Sequence, residues 1–291
     1  MTELSINTPR WSFFQRLGFR FSFIYFVLYI IIQNNGAYPF WGVIMKYPTE
    51  LLHKFIPWVG KNILNLSYDI TTFTGGSGDT TYDYVIVFVI FLVAVFGTIL
   101  WSLLDRKRAN YKKLYYWLTV AMRFYVGLML INYGLVKVIK LQFPDPSFYR
   151  LIEPYGDSSP MGLAWTFLGF SKGYNLFMGI AEVAAVLLLF RRTLTFGLII
   201  TLMTTANVMA VNYFYDVPVK LLSTHLVLMT LFLLLHDFKK LCTFFFTSKP
   251  VSLSAIKQPV KDDDKSLSLA SKILKGILLA YIFIFGGIRL I

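Results

Sequence analysis

The chain of 291 residues contains one cysteine, Cys242, and three histidines, His53, His225 and His236. A single cysteine excludes intrachain thiol–disulfide exchange, which needs two thiols that are oxidised and reduced together. No two histidines sit at ligand spacing on one helix, so no haem or zinc site is visible. Charge is also scarce: 15% of residues are charged, against roughly 25% in a soluble domain. What takes its place is apolar. The sequence is 56% hydrophobic and 18% aromatic, with several runs approaching the roughly 20 residues that cross a hydrocarbon core. This composition defines an all-α polytopic membrane protein.

The net charge of +13 does not point to nucleic acid. The Lys and Arg residues fall in loops beside apolar runs, the distribution that sets the orientation of membrane helices. The partner implied is the lipid bilayer.

The hydrophobic pattern predicts seven spans, over residues 21–33, 84–104, 116–140, 174–190, 194–213, 219–235 and 273–288. The first is short and follows a basic, aromatic N-terminus with no small-residue cleavage site, which reads as an uncleaved anchor. Between the first two spans, YPTELLHKFIPWVGKNILNL is amphipathic with aromatic anchors, the pattern of an interfacial helix. The turn-rich stretch that follows carries Asp79 and Asp83, read as exposed acids. MGLAWTFLGFS, after the third span, is too short to cross and reads as an interfacial or re-entrant helix. Basic clusters at 10–20, 106–113, 191–192 and 239–275 alternate with loops of balanced charge. The positive-inside rule then puts the N-terminus in the cytoplasm, with the clusters on the same side. The chain divides into an N-terminal two-span region with a large outer loop (1–114), a four-helix core (115–240) and a basic linker with a last span (241–291).

The third span carries the chemistry. Arg123 and Lys137 share one helical stripe in an apolar segment, since positions 123, 130 and 137 drift by only about 40°. A charge at the centre of a membrane helix costs about 2.5–3.5 kcal/mol on insertion scales, so such residues face protein and have partners. Glu182 is the one acid of the fourth span. Counted from the flanking basic residues it stands at the depth of Arg123, which predicts an Arg123–Glu182 pair, either the floor of a cavity or an internal brace. Tyr133, Lys137, Asn207, Asn212, Asp216, Lys220 and His225 would line a polar cavity above it. Interhelical hydrogen bonding is the competing account of the Asn, Ser and Thr residues. A hydrogen-bonded core histidine is the competing account of His225.

These residues carry a resemblance. RFYVGLMLINYGLVKVIKLQF, PYGDSSPMGLAWTFLGFSKGYN, MGIAEVAAVLLLFRR and NYFYDVPVK together resemble the DoxX-like integral membrane proteins. The subgroup found in Bacteroidetes-type bacteria, which also has GSGDTTYDYV before a span, is the most similar. The resemblance covers about residues 75–240. It implies a DoxX-like four-helix core, formed by the third to sixth spans, in a protein of a bacterial inner membrane. Some relatives are associated with quinone-coupled oxidation of sulfur compounds or with thiol and oxidative stress. The function expected is a redox-associated subunit that binds a quinone or small anionic ligand through the residues above. No cofactor is evident, a quinone suits the residue types, and electrons would come from a partner redox or periplasmic protein. The alternative is a non-enzymatic scaffold that docks a partner on its outer loops. Transport is disfavoured by the lack of an inverted repeat or paired broken spans.

Overall fold

A computed structural model describes residues 10–72 and 78–253, with isolated positions at 273, 276 and 280. Among the described residues the structure is helical, with no strand. Helix α1 (Phe13–Ile32) starts well before the predicted first span, because Ser12 and Gln15 form a capping box there. The basic residues that marked a boundary in the sequence are accommodated inside the helix. Arg20 is buried, donating from Nε to Tyr111 Oη (2.9 Å), from Nη1 to Ser102 Oγ (2.8 Å) and from Nη2 to the Asp105 carbonyl (2.6 Å).

A short turn, α2 (Trp41–Ile44), leads into α3 (Lys46–Asn62). Its two faces divide as an interfacial helix requires. Ile56 and Val59 pack against Tyr82, Val85 and Ile86, while Tyr47, Leu51 and Trp58 are exposed. Helix α4 (Thr81–Leu104) opens on a second capping box, in which Thr80 Oγ1 accepts from the Asp83 backbone and Asp83 accepts from Thr80 N (3.0 Å). Asp83 is therefore a cap and not a free surface acid.

Helix α5 (Lys112–Val138) is the centre of the molecule. In its most apolar stretch 67% of residues are buried, against 28–33% in the other long helices. Helix α6 (Phe148–Ile152) and helix α7 (Pro160–Phe170, capped by Ser159) follow it. Helix α8 (Lys172–Val183) tightens into a 3-10 turn over Ala184–Leu189. The last described elements are α9 (Leu194–Phe214), α10 (Lys220–Leu234) and α11 (Phe238–Phe246), the last bent 78° from α10.

Among the described residues five helices are long and apolar enough to cross a membrane: α1, α4, α5, α8 with its 3-10 extension, and α9. A sixth results if α10 and α11 count together. Helix α10 alone rises about 22 Å, short of a full hydrocarbon core. Of the predicted seventh span, 273–288, only positions 273, 276 and 280 fall among the described residues. Successive long helices run antiparallel. One end of the bundle, the base, gathers Arg16, Arg106, Arg108, Arg191 and Lys240 around Tyr111, Tyr116 and Asp237. The other end, the cap, carries α3, α6, α7 and the α9–α10 turn.

Two glycines set the central contact. A Cβ on Gly134 would lie 2.7 Å from the Gly179 carbonyl oxygen, and a Cβ on Gly179 would lie 2.7 Å from that of Gly134. Only a hydrogen at each position lets the α5 and α8 backbones approach this closely.

Candidate ligand site at the α5–α8 contact

The close approach of α5 and α8 fixes the register that decides which charges meet. Gly179 packs against Gly134 and Val138, so the first turns of α8 reach past the end of α5. Counting depth from Lys172 therefore misplaces Glu182. Its partner is Lys137 (the two side chains 3% and 6% exposed), which donates from Nζ to Glu182 Oε1 in a buried ion pair. The predicted Arg123–Glu182 pair does not form. Arg123 and Lys137 are separated by about 21 Å of helix rise, and one acid cannot serve both.

Around the pair the packing is aromatic. Lys137 Nζ lies 5.9 Å from the Tyr133 ring and 5.9 Å from that of Phe143, a distance at which each π-face attracts the ammonium. Glu182 Oε1 is engaged, whereas its buried Oε2 accepts no hydrogen bond among the described residues. The cluster thus combines an ammonium, a half-satisfied carboxylate and a phenol on two tightly packed helices.

Arg123 has a different task. Its Nε donates to the Leu188 carbonyl (2.8 Å), at the end of the 3-10 turn. Thr193 Oγ1 donates to the neighbouring Leu187 carbonyl (2.8 Å). Helix ends leave carbonyls unpaired and carry partial negative charge, so a cation there is a C-terminal cap. No described carboxylate lies within ion-pair distance of Arg123, and its buried Nη2 has no partner among the described residues.

The remaining predicted residues belong to other contacts. Asp216 and Lys220 pair with each other at the α9–α10 turn. Asn212 Nδ2 donates to the Val219 carbonyl (3.1 Å) and closes that turn. Asn207 sits on the exposed side of α9. His225 stacks on Tyr29 with ring centroids 3.7 Å apart. Its Nδ1 lies 2.6 Å from the Leu221 carbonyl, which can only accept, so Nδ1 carries the proton and Nε2 accepts from Tyr25 Oη (2.7 Å). Both ring nitrogens are satisfied, the core-histidine alternative. The single cavity expected from the sequence is thus divided over three helix contacts. Of the predicted set, Tyr133, Lys137 and Glu182 come together at the α5–α8 contact, and Asp216 pairs with Lys220 at the α9–α10 turn.

Two residues lie in stretches that carry the resemblance, but the sequence assigned them no part in these contacts. Phe143 covers Lys137 from the loop after α5. Asp79, read as an exposed acid, caps α10 from a distant loop: Oδ1 accepts from Leu221 N (2.9 Å) and Oδ2 from Lys220 N. Its φ of +66° is a left-handed conformation that Asp tolerates better than most residues. The tyrosines facing His225, Tyr25 and Tyr29, are one helical turn apart on α1, a spacing that marks a common face.

Fold and site together define a helical membrane protein with a lysine–glutamate pair buried in its central helix contact. No family model matches the chain, and no solved structure matches it significantly. Over 124 residues it is 38% identical to the protein recorded as "Uncharacterized protein YwoB" of Bacillus subtilis (strain 168), a match spanning 42% of this chain and 79% of that protein. The chain belongs to the same family.

Proposed function

We propose that this chain is a DoxX-like protein of a bacterial inner membrane, a redox-associated subunit that binds a quinone headgroup or similar small ligand at Tyr133, Lys137 and Glu182. The observation that supports this reading is the buried Lys137–Glu182 pair with a carboxylate oxygen left unpartnered. Burying an ion pair is costly and often adds nothing to stability over apolar residues of the same volume, so its presence favours a ligand role. A quinone headgroup needs hydrogen-bond donors to its carbonyls and a route for protons. Lys137 and the Tyr133 hydroxyl are donors, and Glu182 is an acceptor beside them. Arg123, Asn212 and His225 are engaged by the protein and fall outside the binding set. With one cysteine in the chain, electrons are supplied by a partner protein. The basic base of the bundle faces the cytoplasm in this reading, and the cap faces outward.

The test is titration of the purified protein with a short-chain ubiquinone analogue, followed by tryptophan fluorescence. Saturable binding that weakens at least about tenfold in Tyr133→Phe is the expected result. Absence of saturation, or binding indifferent to that change, removes the reading.

A scaffold role is favoured by a separate observation. Phe148, Tyr149, Ile152 and Tyr155 are all exposed on the cap, a patch suited to a partner surface or to lipid. A co-purifying protein lost on mutation of this patch, and retained in Tyr133→Phe, would distinguish it.

A further inference from the structure

Above the ion pair, at the cap, the loop after α5 and the helices α6 and α7 enclose a cleft of about 360 Å³. That volume lies within the range of small-molecule sites. The cleft shares no residue with the Tyr133–Lys137–Glu182 cluster, and no residue predicted from the sequence lines it.

Its walls are of two kinds. Pro144, Met161 and Trp165 supply apolar surface, and Arg150 supplies a cation. The guanidinium is held in place. Nη1 donates to Glu153, whose Oε2 also accepts from Ser158 Oγ (3.2 Å). On its other side it rests on the first turn of α7, where a Cβ on Gly162 would lie 2.7 Å from Nη2 and 2.8 Å from Nη1. A glycine at 162 is what lets the guanidinium lie there. Nε and Nη2 donate to no group among the described residues, and the side chain is 34% exposed. A fixed fork of free N–H donors matches a carboxylate or phosphate oxygen pair. The acid lining the cleft, Asp145, is neutralised by Lys140, whose hydrogen bond holds the Asp145 carboxyl below its ordinary pKa. At the bottom, Trp165 packs edge-on against Phe143 (centroids 5.0 Å apart), and Phe143 covers Lys137.

We propose that the cleft between α6 and α7 binds a small organic anion with an apolar body. The anionic group sits on Arg150 and the body against Trp165 and Met161. This site is independent of the quinone reading.

The experiment is calorimetric titration of the full-length protein in detergent with benzoate as the probe. Benzamide serves as its neutral counterpart and acetate as the anion without a body. Benzoate is expected to bind saturably in the low-millimolar range or tighter, with benzamide and acetate at least about tenfold weaker. Arg150→Gln is expected to weaken benzoate at least tenfold. Gly162→Ala, which removes no charge but displaces the guanidinium and presses on the Ser159 hydroxyl that caps α7, is expected to do the same. Both variants should keep the melting behaviour of the parent. Absence of saturation with benzoate, equal binding of benzamide, or full affinity in both variants overturns the proposal. Repeating the quinone titration on Arg150→Gln separates the two sites, since it is expected to be unchanged. Joint loss of quinone and benzoate binding overturns the claim of a separate cleft site.

Discussion

The ion pair at Lys137 and Glu182 concentrates risk in two side chains. Replacing one partner leaves the other buried and uncompensated, whereas replacing both leaves an ordinary apolar contact. Lys137→Met is therefore expected to destabilise the protein by about 3–5 kcal/mol. The double change Lys137→Met with Glu182→Leu is expected to recover most of that loss. Detergent-phase thermal unfolding of the two single variants and the double variant measures the coupling directly. Asp79 makes a smaller contribution of the same local kind. Removing its carboxylate frees two backbone N–H groups at the start of α10, so Asp79→Ala should cost about 1–2 kcal/mol. Denaturant titration is the check, and it should show Asp79→Asn falling between the parent and Asp79→Ala.

At the scale of helices, the α5–α8 contact is decided by what is missing from two residues. Gly134→Ala would force its Cβ against the Gly179 carbonyl and the Val183 backbone N, neither of which can move without displacing a helix. A loss of about 1–3 kcal/mol is expected. Gly42→Ala, where nothing lies within 4 Å of the new Cβ, should be close to neutral in the same unfolding assay. Most of the elements were legible in the sequence. The apolar runs predicted α4, α5, α8 with its 3-10 extension, α9 and α10 to within a few residues, and the amphipathic pattern predicted α3. The beginning of α1 was not legible, because hydropathy counts Arg16 and Arg20 as a boundary while Arg20 is in fact solvated by protein groups from α4 and the following loop. Pairing was less legible still. Depth along a helix can be counted only from a known end, and the overhang of α8 past α5 has no signature in composition. That overhang moved Glu182 from Arg123 to Lys137.

Seen whole, the molecule does not separate at the boundary between its first two long helices and the rest. Tyr25 and Tyr29 of α1 enclose His225 of α10, and Tyr125 of α5 donates to the Gln33 carbonyl after α1 (2.6 Å). A fragment of residues 115–240 would expose these groups together with the start of α10. It is expected to be degraded or aggregated when expressed alone, and rescued by co-expression of residues 1–114. Recovery of a monodisperse, protease-resistant 115–240 fragment by itself would contradict this. The same interdependence explains why the sequence suggested one polar cavity. Polar residues from α5, α8, α9 and α10 were grouped by position along the chain, but His225 met tyrosines of α1 and Arg123 met the end of the 3-10 turn, contacts that hydropathy alone could not place.

The cap on α10 also has a consequence in time. Asp79 and Lys220 are 141 residues apart. During synthesis at about 5–20 residues per second, the carboxylate emerges roughly 7–28 seconds before the helix end that it will satisfy. Through that interval Tyr25 and Tyr29 of α1 also lack the His225 ring that they enclose. The arrival of α10 then supplies the two backbone N–H groups from which Asp79 accepts, and a chain stalled before residue 220 is expected to leave that carboxylate without them.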